Sequence, residues 1–177
     1  LHGDHSSAIE HLLLALRVNP LDPLIFSAYA TLSGACFFLG DYARGLEFGL
    51  LAVAEARGSG TTWHEPALCY VGLGELGLAR QACEKARQSA PEWVDAVLDG
   101  RSLLRRPQDR RKYQMFMRVA AGLEDPSATG ALRSVLVIRG RVGRRPSAPA
   151  LSVVIRVHVF TGLPIARFDV TDMAQYR

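Results

Sequence analysis

No stretch of this 177-residue chain approaches the roughly 18 uninterrupted apolar residues that a membrane-crossing helix requires. Its start, Leu1-His2-Gly3-Asp4, is neither a basic leader nor an initiating methionine. A cytoplasmic protein with no membrane partner is therefore expected, its natural N-terminus lying upstream. Cysteine is scarce: Cys36, Cys69 and Cys83 are odd in number and lack metal-ligand spacing, which points to reduced, buried thiols rather than disulfides or a metal site. The five histidines, His2, His5, His11, His64 and His158, are scattered. His64 adjoins Glu65, but neighbouring side chains on a helix diverge, so no ligand pair is expected there. Gly58-Ser59-Gly60 lacks the Gly-Lys-Ser/Thr that completes a phosphate loop, no Gly-x-Ser-x-Gly elbow occurs, and the acids are dispersed. The expectation is a protein with no catalytic residues, no cofactor and no metal.

What the chain has instead is a period. Gly40 and Gly74 are 34 residues apart, each between two helical stretches. In the unit around Gly74, Trp63, Ala67 and Tyr70 occupy the first helix, Ala79 and Ala86 the second, and Pro91 the exit. Around Gly40, Tyr29 and Ser33 precede the turn Gly40-Asp41-Tyr42, and Gly45 and Ala52 follow. Gly3, Ala8, Ala15 and Pro20 fit the turn and second helix of an earlier unit, so the array is expected to open in mid-repeat. In period and in placement of small, aromatic and proline residues the chain resembles the tetratricopeptide repeat. That resemblance implies an all-α fold, a right-handed α-solenoid of antiparallel helical hairpins. It divides residues 1–125 into a partial repeat (1–23), two repeats (24–60 and 61–91) and capping helices (92–123).

The small residues have a physical reason. Two helices approach closely only where Ala or Gly replaces a bulky side chain, so Gly34, Gly45 and Gly49 are read as packing contacts that offset their poor helix propensity. Helices are expected over 6–18, 24–39, 42–56, 62–73 (N-capped by Thr61 or Thr62), 76–89, 92–104 and 108–122. In the last, Tyr113, Phe116 and Val119 form an apolar face, while Arg105, Arg106, Arg110, Arg111 and Lys112 are read as facing outward. The four arginines form a basic patch that could meet an anion, although a solvated cap explains them as well.

Leu103-Leu104-Arg105-Arg106-Pro107-Gln108-Asp109-Arg110-Arg111-Lys112-Tyr113 is similar to the terminal helix that closes the repeat region of many bacterial class III adenylate/guanylate cyclases and related regulators. Gln108 stands where that pattern usually has an acid. In that family the chain ends soon after the helix, but here a tail follows. Residues 126–177 are basic and rich in arginine, with β-branched runs at 134–139 and 151–160 that suit short strands or an unstructured extension. The tail also explains the net charge of +4: residues 131–177 hold 8 basic and 2 acidic side chains, whereas residues 1–90 hold 6 and 9. The repeats are mildly acidic, which argues against nucleic acid as their partner.

A stack of hairpins offers one concave face to an extended peptide or a partner helix. The repeat register puts Ala30, Gly34, Phe37 and Phe38 of the second unit and His64, Leu68 and Val71 of the third on that face. They lack the Lys/Arg/Asn clamp with which similar repeats hold a C-terminal carboxylate. The expected function is a protein-interaction module of a bacterial signalling protein, binding a protein or peptide, or its own cyclase or regulator domain. The alternative is the non-catalytic C-terminal part of a cyclase whose catalytic domain lies outside this chain.

Overall fold

The computed structural model describes residues 4–56 and 60–130, and these contain helices and turns but no strand. Seven α-helices follow in order: α1 (His5–Val18), α2 (Ile25–Leu39), α3 (Tyr42–Glu55), α4 (His64–Leu73), α5 (Leu76–Ser89), α6 (Pro91–Leu98) and α7 (Pro107–Ala120). The β-branched runs of the tail, like Gly58 and Ser59, lie outside the described residues.

Local chemistry sets most boundaries. The Asp4 carboxylate accepts the Ser7 N–H at 3.0 Å and caps α1, and Asp41 accepts the Arg44 N–H at the start of α3. The turns at Gly40 and Gly74 are built alike. Their φ angles are 83° and 79°, in the left-handed region that only glycine enters without cost. Gly40 N–H donates to Phe37 O and Asp41 N–H to Cys36 O, while Gly74 N–H donates to Val71 O and Glu75 N–H to Tyr70 O. This paired closure satisfies the last carbonyls of α2 and α4 and reverses the chain within two residues. Pro91 and Pro107 begin α6 and α7, where a missing N–H costs nothing.

Three expectations from the sequence need correction. The sixth helix ends at Leu98, not near Leu104: Gly100, at φ 79°, closes it through Gly100 N–H to Val97 O and Arg101 N–H to Ala96 O. Neither Thr61 nor Thr62 caps α4, since both belong to a 3₁₀ turn over Gly60–Trp63 and the helix starts only at His64, with Pro66 in its first turn. Gly34 is not a close contact, because a methyl group added there would meet nothing within 4 Å.

Close approach does govern three other glycines. A Cβ on Gly45 would lie 2.9 Å from Cys69 Sγ, one on Gly49 would lie 2.9 Å from Ser33 Oγ, and one on Gly72 would enter the Tyr42 ring. Helices α2, α3 and α4 are thereby drawn together. Ser33 Oγ donates a buried hydrogen bond of 2.7 Å to Gly45 O, so even the polar atom at this seam is satisfied. Two apolar clusters result. The smaller joins α1 to α2 through Ile9, Leu32, Ala35 and Cys36, with Leu12, Leu13 and Leu16 packed against it. The larger runs from Phe37 through α4 and α5 to Phe116 and Met117 of α7.

Candidate functional site

The expected partner face is a surface of α2 and α4, and α7 lies against it. Phe116 meets Phe37 edge-on at 5.0 Å between ring centroids, and Tyr113 meets Phe37 at 6.1 Å and Phe38 at 6.2 Å. Phe37, Leu68 and Val71 are consequently buried in the core, which corrects their assignment to an open face. Ala30, Gly34, Phe38 and His64 stay partly accessible. The register placed Phe37, Phe38, His64, Leu68 and Val71 on surfaces that share α7 as neighbour; it did not anticipate that the chain's own helix would fill them.

Lys112 is the second correction, because it points inward. Its Nζ donates to Phe37 O at 2.8 Å and Phe38 O at 3.2 Å, and it lies 4.6 Å from the centroid of Phe37 and 5.4 Å from that of Tyr42. A cation at the C-terminus of α2 meets the negative end of the helix dipole, and the ring faces add cation–π attraction. Burial pushes the ammonium's pKa down, and the neighbouring Asp109 carboxylate opposes that shift. Arg105, Arg106, Arg110 and Arg111 are exposed as expected, around the N-terminus of α7.

At the margin of α7 an aromatic strip remains. His5 of α1 stacks on Phe38 at 4.7 Å and approaches Asp109 Oδ2 with Nε2 at 3.5 Å. Across Tyr113, His64 tilts against Trp93 at 4.3 Å, and Trp93 meets Tyr113 edge-on at 6.3 Å. His64 and Trp93 line, with Ala86 and Ala90, a pocket of about 220 Å³. His64 and Glu65 do not diverge as expected: Nε2 and Oε1 are 2.5 Å apart, an ion pair when the imidazole is protonated. The other carboxylate oxygen of Glu65 is buried without a hydrogen-bond partner. Burial foremost, then the Glu65 carboxylate and Cys69, pushes the Tyr113 phenol far above its ordinary range and keeps it neutral.

Trp93 was not singled out by the sequence, and Glu65 was read only as a neighbour that would diverge from His64. The sequence held no clear signal for Trp93: at i, i+4 from the buried Val97 it reads as one more core position of α6, yet it is 37% exposed. The buried thiols give no sign of reactivity. Burial raises Cys36 to about 11 and Cys69 to about 12, away from the thiolate form that reacts or binds metal. Among the described residues no group of three His, Cys, Asp or Glu side chains could hold a metal ion, and no helix is long and apolar enough to cross a membrane. No family model, no curated protein and no solved structure matches this chain.

Proposed function

We propose that residues 1–125 form a protein-interaction module of tetratricopeptide-like hairpins, stacked as a right-handed α-solenoid, that holds a peptide or partner domain at the aromatic margin of α7. The hairpin reading draws support from the matched closures at Gly40 and Gly74, 34 residues apart, and from glycines at the helix seams. The observation that carries the function is Trp93, which is 37% exposed and tilted against His64 beside a pocket of about 220 Å³. Ligand pockets for whole small molecules run from roughly 300 to 1,000 Å³. A smaller pocket walled by tryptophan, histidine and two alanines suits one apolar anchor side chain of a peptide, and tryptophan is among the residue types enriched at the energetic centre of protein interfaces.

The filled α2–α4 surface does not serve as the groove, because displacing α7 would bring Phe116, Met117 and Tyr113 out of the core. Burial of each contributes on the order of 1.5–3 kcal/mol, which no ordinary peptide offsets. In a bacterial signalling protein, as the Arg105-Arg106-Pro107 segment suggests, the partner would be the protein's own cyclase or regulator domain. Selection of a displayed peptide library on the intact chain tests the reading. Enriched peptides should share an apolar anchor, and Trp93→Ala and His64→Ala should each weaken them at unchanged helical circular dichroism. Enrichment of no peptide, or binding indifferent to both substitutions, would overturn it.

A further inference from the structure

Exposed arginines surround the start of α7, and one row of them leads to the His64–Trp93 pocket. Arg110 stands three residues before Tyr113 and four before Gln114, so the three share one edge of the helix. That edge meets α6: Tyr113 contacts Trp93 at 6.3 Å between ring centroids, and Gln114 Nε2 donates to Leu98 O at 2.8 Å. A helical side chain leans back over the turn that precedes it. The Tyr113 ring therefore lies level with Arg110, and Trp93, in contact with that ring, stands beside the same turn. Arg110 N–H donates to Arg106 O at 3.1 Å, which sets Arg106 one turn further along the row.

The acids nearby leave this edge positive. Asp109 sits on the other side of Tyr113, where it faces His5 of α1, and Glu65 is engaged by His64. Asp95 faces Arg87. Glu92 precedes Trp93 in sequence, but successive helical residues point about 100° apart, so it turns away from the wall that Trp93 gives the pocket. Arg110 itself enters no ion pair among the described residues.

We propose that the pocket takes acidic peptides: an apolar anchor enters between His64 and Trp93, and carboxylates beside the anchor meet Arg110 and Arg106. This rests on reading the pocket as a peptide site and names the chemistry of its partner. The planar guanidinium presents a fork of N–H donors that matches a carboxylate. Neighbours in a helix row are about 5–6 Å apart, and an extended peptide advances about 3.3 Å per residue. The acids then fall about two to four residues from the anchor. Charges at the rim of a small apolar contact select the partner and speed encounter more than they add affinity.

A peptide library displayed against the intact chain tests this, with the strongest binders resynthesised and titrated by fluorescence anisotropy. Enriched sequences should carry Asp or Glu within about four residues of the anchor. Replacing those acids by Asn and Gln should weaken binding roughly fivefold to tenfold at low salt, and less at high salt. Arg110→Glu should abolish the preference or turn it toward lysine, while Trp93→Ala should weaken acidic and neutral peptides alike. Anchored peptides that need Trp93 but show no acidic bias, or a bias that Arg110→Glu leaves unchanged, overturn this inference and leave the pocket reading standing. Acidic peptides indifferent to Trp93→Ala overturn it as well, because the arginines would then act apart from the pocket. If no peptide is enriched, the pocket reading falls and this inference falls with it.

Discussion

Helices α1 and α7 differ in how each meets the rest of the molecule. Helix α1 shares a small cluster with α2, and only Ile9 among its residues is buried. Helix α7 buries Tyr113, Phe116, Met117, Val119 and Ala120 and also sends a lysine to the end of α2. Both are 14 residues long, so length does not set the difference; it lies in where the large side chains go. Helix α7 spends its aromatics inward and its arginines outward, whereas α1 divides its leucines between two sides. A helix of the first kind completes a core, and one of the second kind leaves apolar side chains such as Leu14 and Val18 exposed.

The largest effect that can break this contrast is Phe116→Ala. Phe116 is fully buried against Phe37 and Tyr42, and truncation of such a side chain costs about 3–5 kcal/mol through lost burial and the cavity left behind. Urea denaturation followed by circular dichroism should show that loss in the midpoint. A change below about 1 kcal/mol would mean that α7 is not part of the cooperative core.

Alkaline unfolding compares the two clusters through their thiols. Cys36 belongs to the cluster beside α1 and Cys69 to the one beside α7. Burial raises Cys36 from 9.0 to about 11 and Cys69 from 9.0 to about 12. The unfolded chain therefore loses these protons first, so the stability they contribute is complete below pH 9. It is lost as pH rises from 9 toward about 11 for Cys36 and toward about 12 for Cys69. Lys112 acts in the opposite sense below its ordinary 10.5, because burial makes the folded state release its proton earlier, but it is a single group. Urea midpoints should fall across this range, and Cys36→Ala and Cys69→Ala should each flatten the decline over its own window. Equal slopes in all three proteins would show that the thiols are not the titrating groups.

At the seam between the ends, two glycines predict opposite signs. Gly72→Ala puts a methyl group into the Tyr42 ring and should destabilise by about 1–3 kcal/mol. Gly34→Ala adds a methyl group in open space within α2 and should stabilise by about 0.5–1 kcal/mol through helix propensity. Thermal melts distinguish the two, and the same sign for both would contradict the packing of α3 against α4.

The helices and most of their ends were legible because local chemistry sets them: Gly40, Gly74, Pro91 and Pro107 each act within a few residues of where they stand, whereas the Asp4 cap went unread. Gly100 uses the same closure as Gly74 but falls outside the 34-residue period, so it went unread. Lys112 was misplaced for a different reason. A lysine is assigned to solvent by its charge, yet Lys112 stands in the i, i+4 row with Phe116 and beside Tyr113, inside the buried stripe. Its partners are carbonyls 74 and 75 residues away, and no local pattern reports such a distance. The same separation hid the aromatic site, where Phe38, His64, Trp93 and Tyr113 come from four helices.

The smallest effect is expected at α1, and it sharpens the contrast most. Leu14→Ala removes a large apolar side chain, as Phe116→Ala does, but Leu14 is more than half exposed. Its loss should move stability by no more than about 0.5 kcal/mol, the range of surface substitutions. Alanine even favours the helix slightly over leucine. In urea denaturation an unchanged midpoint would show that the exposed side of α1 does not hold up the fold. A loss of about 2 kcal/mol or more would put Leu14 among buried core leucines, and α1 would then close the core as α7 does.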